Sequence, residues 1–337
     1  MAFYHPIKTY ADDADYPGKG RWIAERLLCL RESLRQSITN ERRPNSLIIG
    51  SWNIRAFDEG RPRLDESYHY IAEIIDKFDI CAVQEVKSDL APLRRLMRLL
   101  GPSWDYFVSD VTGGAAGNRE RMAFLYNRNR VFFRNLIGEI ALPREALVDA
   151  NPLARSPFFA SFQAGWFKFT LCTAHIVFGG SSIADKALRA QEIDAVASIL
   201  AKRADKEDEV YVLLGDLNIE TPDDDIFAAM TRHGLTPPHF GPTNMSGTKH
   251  FDQIAFTGSG RKTRHLRSGG FDWRDAVFRA EDAEHYQPHA ERSRGAPYAN
   301  WARSYNRWTT HEMSDHIPIW VELEVDYSDE YLRRFLA

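Results

Sequence analysis

Residues 210–218 read Val-Tyr-Val-Leu-Leu-Gly-Asp-Leu-Asn. The apolar run 210–214 predicts a strand buried on both faces, and Gly215 breaks it. Asp216 and Asn218 follow directly, so two polar side chains stand where a rigid element stops. The same figure recurs on either side. Asn53 sits in SWNIR (51–55), Glu85 in AVQEV (82–86) and His175 in CTAHI (172–176). Asp252 stands in FDQI (251–254), and Asp315 and His316 in SDHIP (314–318). In α/β proteins, strand ends are where rigid elements aim several side chains into one crevice.

The types of these residues are chemically coherent. Glu85, Asp216, Asn218, Asp315 and Asn53 offer hard oxygen ligands, which suit Mg2+, Mn2+ or Ca2+. Zinc would want clustered cysteines or histidines, and Cys29, Cys81 and Cys172 are not spaced for such a site. Two histidines near carboxylates suit acid/base work or phosphate binding at neutral pH.

The runs between these points set the architecture. Helices are expected over 21–39, 65–78, 89–100 and 183–202. Strands are expected over 47–52, 80–83, 106–109, 122–126, 131–140, 158–162, 167–175, 210–214, 251–256 and 317–325. Helices alternate with strands early, and strands neighbour strands in the middle. This mixture predicts an α+β, four-layer αββα sandwich of two mixed β-sheets flanked by helices. Residues 1–45 are read as an N-terminal arm and amphipathic helix whose surface could serve a protein partner, 46–325 as the catalytic domain, and 326–337 as a tail. Within the domain, 261–310 is rich in Arg, His, Tyr and Trp and broken by Gly269-Gly270 and Gly295. It is read as a long insertion or mobile loop, either stacking on bases or packing over the core.

Composition bounds the rest. The chain has 337 residues, 44% hydrophobic and 27% charged, enough for a large core without disulfides or a structural metal. No apolar run is long enough for a membrane helix, and the first residues do not read as a secretion signal. Three cysteines in apolar contexts suggest reduced core residues and a cytoplasmic protein. A net charge of -4 argues against a general polycationic grip on nucleic acid, but leaves room for a local basic groove.

Taken in order, WNIRAF, DICAVQEV, NRERMAFLYN, TAHI, LLGDLN, HFDQIAF and SDHIPI resemble the endonuclease/exonuclease/phosphatase superfamily, most closely its deoxyribonuclease I branch. The resemblance spans about residues 46–325. It implies that Glu85 is the main metal ligand, helped by Asn53 and Asp315. Asp216 and Asn218 would hold the nucleophilic water and the scissile phosphate. His316 would hydrogen-bond a phosphate oxygen, oriented by Asp252. His175 would act across the phosphate, with Glu120 of NRERM as its partner. Arg55, Lys87 and Arg155 fall where the branch contacts the DNA backbone or minor groove. The expected activity is divalent-metal-dependent cleavage of a phosphodiester, with DNA as the partner. The alternatives are a phosphatase or phospholipase on inositol phosphates or sphingomyelin, for which Trp301, Tyr305 and Trp308 would be the membrane-facing cluster, or a catalytically idle binding module.

Overall fold

A computed structural model describes residues 1–10, 13, 16–57, 61–112, 118–141, 153–258 and 263–336. The first sheet holds β1 (Ser46–Phe57), β2 (Ile80–Lys87), β3 (Trp104–Val108), β4 (Glu120–Asn127), β10 (His265–Gly270) and β11 (Ile319–Glu324), in the order β10-β11-β1-β2-β4-β3. The second holds β5 (Phe132–Glu139), β6 (Phe158–Ala164), β7 (Phe167–His175), β8 (Val210–Asp216) and β9 (Asp252–Phe256), in chain order. β1 and β2 run parallel, as do β7 and β8; the other pairs are antiparallel. Both sheets are therefore mixed, as expected.

The layers follow from the period of two along a strand. Leu47, Ile49, Ile80, Ala82 and Phe124 point from the first sheet into a core shared with Phe162, Phe169, Leu171, Val212 and Leu214 of the second. Their neighbours Ile48, Cys81 and Val83 face the opposite way, onto the helices α1 (Lys19–Leu34), α2 (Asp65–Ile75) and α3 (Ala91–Leu100). Cys172, Tyr211 and Leu213 of the second sheet face α4 (Ile183–Glu207) and α5 (Asp225–Thr231). Every central strand is thus buried on both faces, which is why it reads as a continuous apolar run. Each large aliphatic side chain so buried contributes about 1.5–3 kcal/mol.

The N-terminal helix spends its apolar face internally. Ile23, Leu27, Leu30 and Leu34 are buried at helical spacing, and a π-helical turn over Arg35–Thr39 continues it. Cys29 lies on the opposite face and is exposed, so only Cys81 and Cys172 match the expectation of core cysteines. α5, which the hydrophobic pattern did not signal, is fixed by the Asp224 carboxylate accepting from the Phe227 amide.

The segment read as an insertion or mobile loop is ordered wherever it is described. β10 pairs with β11 at the edge of the first sheet. Helices α6 (Ala283–Arg294) and α7 (Trp301–Glu312) then pack Tyr286, Ala290, Trp301, Tyr305 and Trp308 into the core outside that sheet. Aromatic rings here do the work that Leu and Ile do elsewhere, so the helical period was hidden among arginines and histidines. A short helix, α8 (Ser328–Arg333), closes the chain. No helix among the described residues is long and apolar enough to cross a membrane.

Candidate active site

The topology gathers the polar strand ends at one edge of the sandwich. The parallel strands β1, β2, β7 and β8 deliver their C-terminal residues there, carrying Asn53, Glu85, His175 and Asp216. The antiparallel strands β4 and β9 deliver their first residues, Glu120 and Asp252, and His316 stands just ahead of β11. Register makes this concrete: His175 lies opposite Asp216, and Asp216 opposite Asp252. A β-bulge between Val83 and Val86 interrupts the alternation, and Glu85 adopts φ 61° within it. Bulges re-aim side chains beside functional sites, and this one turns Glu85 toward Asn53.

Asn53 joins the two sheets. Its Nδ2 donates to Glu85 Oε1 at 3.1 Å and to Asp216 Oδ2 at 2.9 Å. Asp216 Oδ2 also lies 3.5 Å from His175 Nε2 and 3.7 Å from His316 Nε2. Its other oxygen accepts from the Asn218 amide at 3.1 Å, while Asn218 Nδ2 donates to the Ile176 carbonyl at 2.7 Å. The remaining Glu85 oxygen accepts from the Ala56 amide at 2.7 Å.

Each histidine is backed by its own carboxylate. His316 Nδ1 lies 2.7 Å from Asp252 Oδ2, a buried hydrogen bond. His175 Nδ1 lies 3.0 Å from Glu120 Oε2, an ion-pair contact without hydrogen-bond alignment. Burial alone would lower the pKa of His316, but Asp252 and then Asp216 outweigh it and raise it to about 10. Burial pushes the Asp216 carboxyl up, and the two histidines only partly offset this. Burial likewise opposes ionisation of Glu120, but His175, Arg155 and Lys87 win and hold it at about 2.

Among the described residues, two groups of ligand atoms are close enough to hold a metal ion: Glu85, Glu120 and His175, and Asp216, Asp252 and His316. Asn53 Oδ1 adds a buried acceptor with no hydrogen-bond partner. An orphaned amide oxygen beside a carboxylate fits a hard divalent cation. Asp315 belongs to neither group: its side chain is 45% exposed, with Oδ2 3.8 Å from Arg55 Nε.

The three basic residues part company. Lys87 is buried, 3.2 Å from Glu120 Oε1, and presents no surface to a duplex. Arg155 lies 3.0 Å from Glu120 Oε2 and reaches the His175 carbonyl at 3.4 Å, so it braces the site from behind. Arg55 alone reaches outward, donating to Thr310 Oγ1 at 2.5 Å. Residues that carry no motif signal hold the site together. Ser314 Oγ donates to the Asn53 carbonyl at 2.6 Å and accepts from the His316 amide at 3.1 Å. The indole of Trp52 donates to the His316 carbonyl at 3.0 Å, and Thr243 Oγ1 accepts from the Asp252 amide at 3.1 Å. Gln84 Nε2 donates across the sheets to Thr173 Oγ1 at 2.9 Å.

A four-layer sandwich with carboxylates, amides and histidines converging at one edge defines a class of enzymes that hydrolyse phosphoric esters. The chain belongs to the endonuclease/exonuclease/phosphatase family, whose model matches residues 50–316. A stretch of 90 residues is 32% identical to deoxyribonuclease-1 of Equus caballus, covering 26% of this chain and 32% of that protein. Among solved structures, D. rerio TDP2 complexed with single strand DNA product superposes with a TM-score of 0.54 at 15% identity, over 83% of this chain and 99% of that one. A mannosyl-6-phosphatase of Bacteroides thetaiotaomicron superposes with a TM-score of 0.53 at 18% identity, over 82% and 99%. These two likenesses are ones of fold.

Proposed function

We propose that the protein is a divalent-metal-dependent phosphodiesterase acting on DNA as an endonuclease. The observation that carries this reading is the position of Asp216 Oδ2, 3.5 and 3.7 Å from the Nε2 atoms of two histidines that each have a carboxylate behind them. Hydrolysis of a phosphodiester needs a water deprotonated on one face and negative charge stabilised on the phosphoryl oxygens. Asp216, made more basic by burial, takes the proton from that water. His316, held as imidazolium by Asp252, donates to a phosphoryl oxygen. His175, held by Glu120, faces the leaving group, and Asn218 orients the water. Glu85 and Asn53 would hold a Mg2+ ion, which supplies Lewis acidity at a phosphoryl oxygen when bound; Asp315, which faces Arg55, lies outside both groups of ligand atoms.

DNA is favoured over a lipid headgroup by the fate of Trp301, Tyr305 and Trp308. All three are buried in the core, so this cluster is not available to enter a membrane. The identity shared with a deoxyribonuclease points the same way. Supercoiled-plasmid nicking with Mg2+, Mn2+ or EDTA, beside Asp216→Ala, tests the proposal. Metal-dependent open circles that disappear in the variant are expected, with turnover reduced by about 10²–10⁴-fold. Intact plasmid with folded, metal-loaded protein would overturn it.

A further inference from the structure

Next to the site is a cavity of ≈ 790 Å³ that the roles proposed above leave unexplained. Arg55, Arg61, Arg294, Arg303, Arg307 and His311 line it, and none of its lining residues is acidic. A chain of net charge -4 has no bulk excess of cations, so this concentration is local. Helix α7 builds one wall, presenting residues 300, 303, 304, 307, 308 and 311 along a single face. The opposite face of the same helix sends Trp301 and Tyr305 into the core. Trp301 and Tyr305 thus anchor the helix, Trp308 lies between the core and the cavity, and Arg303 and Arg307 stand on the cavity face.

Three of these arginines are tied down within the fold, Arg294 by donating to the Pro297 carbonyl at 2.7 Å. Arg61 pairs with Glu312 at 3.0 Å, and Arg55 bonds Thr310. Arg303 and Arg307 are exposed and, among the described residues, have no carboxylate within ion-pair distance. They stand four residues apart on the helix, so their Cβ atoms are about 5–6 Å apart. Guanidinium forks suit phosphate oxygens, and this many are more than one phosphate can engage. Arg55 is also shared with the site: it follows Asn53 by two residues on β1, and its Nε is 3.8 Å from Asp315, which adjoins His316.

We infer that this cavity binds backbone phosphates of the nucleic-acid strand flanking the scissile bond, with Arg303 and Arg307 as principal contacts. The inference rests on the phosphodiesterase reading and deepens it: the substrate is a polynucleotide, gripped at successive phosphates beyond the one that is cleaved.

The test compares the full chain with R303E/R307E and R303K/R307K. A labelled short DNA duplex is titrated in EDTA, where binding is read by fluorescence anisotropy without cleavage. Hydrolysis of bis(p-nitrophenyl) phosphate, a diester with a single phosphate, is followed separately with Mg2+. The charge reversal is expected to raise Kd at least about tenfold and to lower the salt slope of log Kd by about 2, close to one per phosphate contact. The lysine pair should recover most of the salt slope, because it keeps the charge while losing the fork. An unchanged Kd and slope in R303E/R307E, or no DNA binding by the wild type, overturns the inference. Failure of the wild type to cleave DNA, with binding lost in the reversal, would sink the endonuclease reading and leave the phosphate cavity standing. Cleavage by the wild type with equal binding by both proteins would do the reverse.

Discussion

Replacing Glu120 by Gln removes a charge while keeping the shape. The carboxylate is buried, 3.2 Å from Lys87 Nζ, 3.0 Å from Arg155 Nε and 3.0 Å from His175 Nδ1. Burial opposes its ionisation, but these three partners hold it at about 2, against its ordinary 4.5. That depression converts to about 3 kcal/mol of stability at neutral pH. Breaking a buried ion pair from one side costs about 3–5 kcal/mol, because the partner charges are left without compensation, and the two figures agree. A group whose pKa is depressed by folding contributes fully above its unfolded value and loses that contribution as pH falls toward the folded one. The difference between wild type and Glu120→Gln should thus be about 3 kcal/mol at pH 7 and shrink to about 1–2 kcal/mol at pH 3. Urea unfolding of both proteins across that range reads it directly. A gap below about 1 kcal/mol at pH 7, or one that does not narrow on acidification, would refute the reasoning.

Three further outcomes follow from the same geometry. Glu85→Ala should raise the Mg2+ concentration for half-maximal nicking by about 10–100-fold, and isothermal titration should show the same loss in metal affinity; an unchanged midpoint removes Glu85 from the metal site. Asp252→Asn removes the carboxylate that raises the pKa of His316 to about 10. The alkaline limb of kcat should then move down toward the ordinary imidazole range, and a superimposable pH profile would show that His316 is not the titrating acid. Gly215 has φ +131°, and a Cβ there would sit 2.1 Å from the Ala174 carbonyl oxygen. Gly215→Ala should therefore cost at least about 1–3 kcal/mol in thermal unfolding and impair turnover, because β7 must move away from β8 beside Asp216 and His175.

The sandwich was legible because its central strands are buried on both faces and bounded by polar residues. The run 210–214 and the β8 that contains it, Val210–Asp216, differ only by the glycine and aspartate that end it. Legibility failed where apolar work is done by other residue types. Tyr286, Trp301 and Trp308 mark the inner faces of α6 and α7, but they alternate with Arg and His, so hydropathy reads the segment as polar loop. In the site, the residues that meet were readable as strand ends, whereas their supports were not. Ser314, Thr243 and Gln84 act through a few hydrogen bonds to backbone or across sheets, which need no pattern in sequence. Lys87 shows the opposite failure. Its place two residues after Glu85 suggested a surface contact, but the bulge between Val83 and Val86 restores the register so that Lys87 meets Glu120 across β2 and β4.

That bulge also explains why Asn53 rather than a carboxylate suits its position. Glu85 and Asp216 arrive from different sheets and both present oxygens toward β1. Two carboxylates brought together would repel. A side-chain amide resolves this, because its two N–H bonds satisfy one oxygen of each while its own oxygen is left over. That leftover atom, Asn53 Oδ1, is buried and without a partner. Leaving such an acceptor unsatisfied costs about 1–3 kcal/mol. A cation with oxygen preference seated against it would recover that cost, so under the proposed role the residue that bridges the two sheets would also receive the metal. An acid at this position would add a third negative charge to Glu85 and Asp216 and bind the metal at the expense of the sheet-to-sheet bridge.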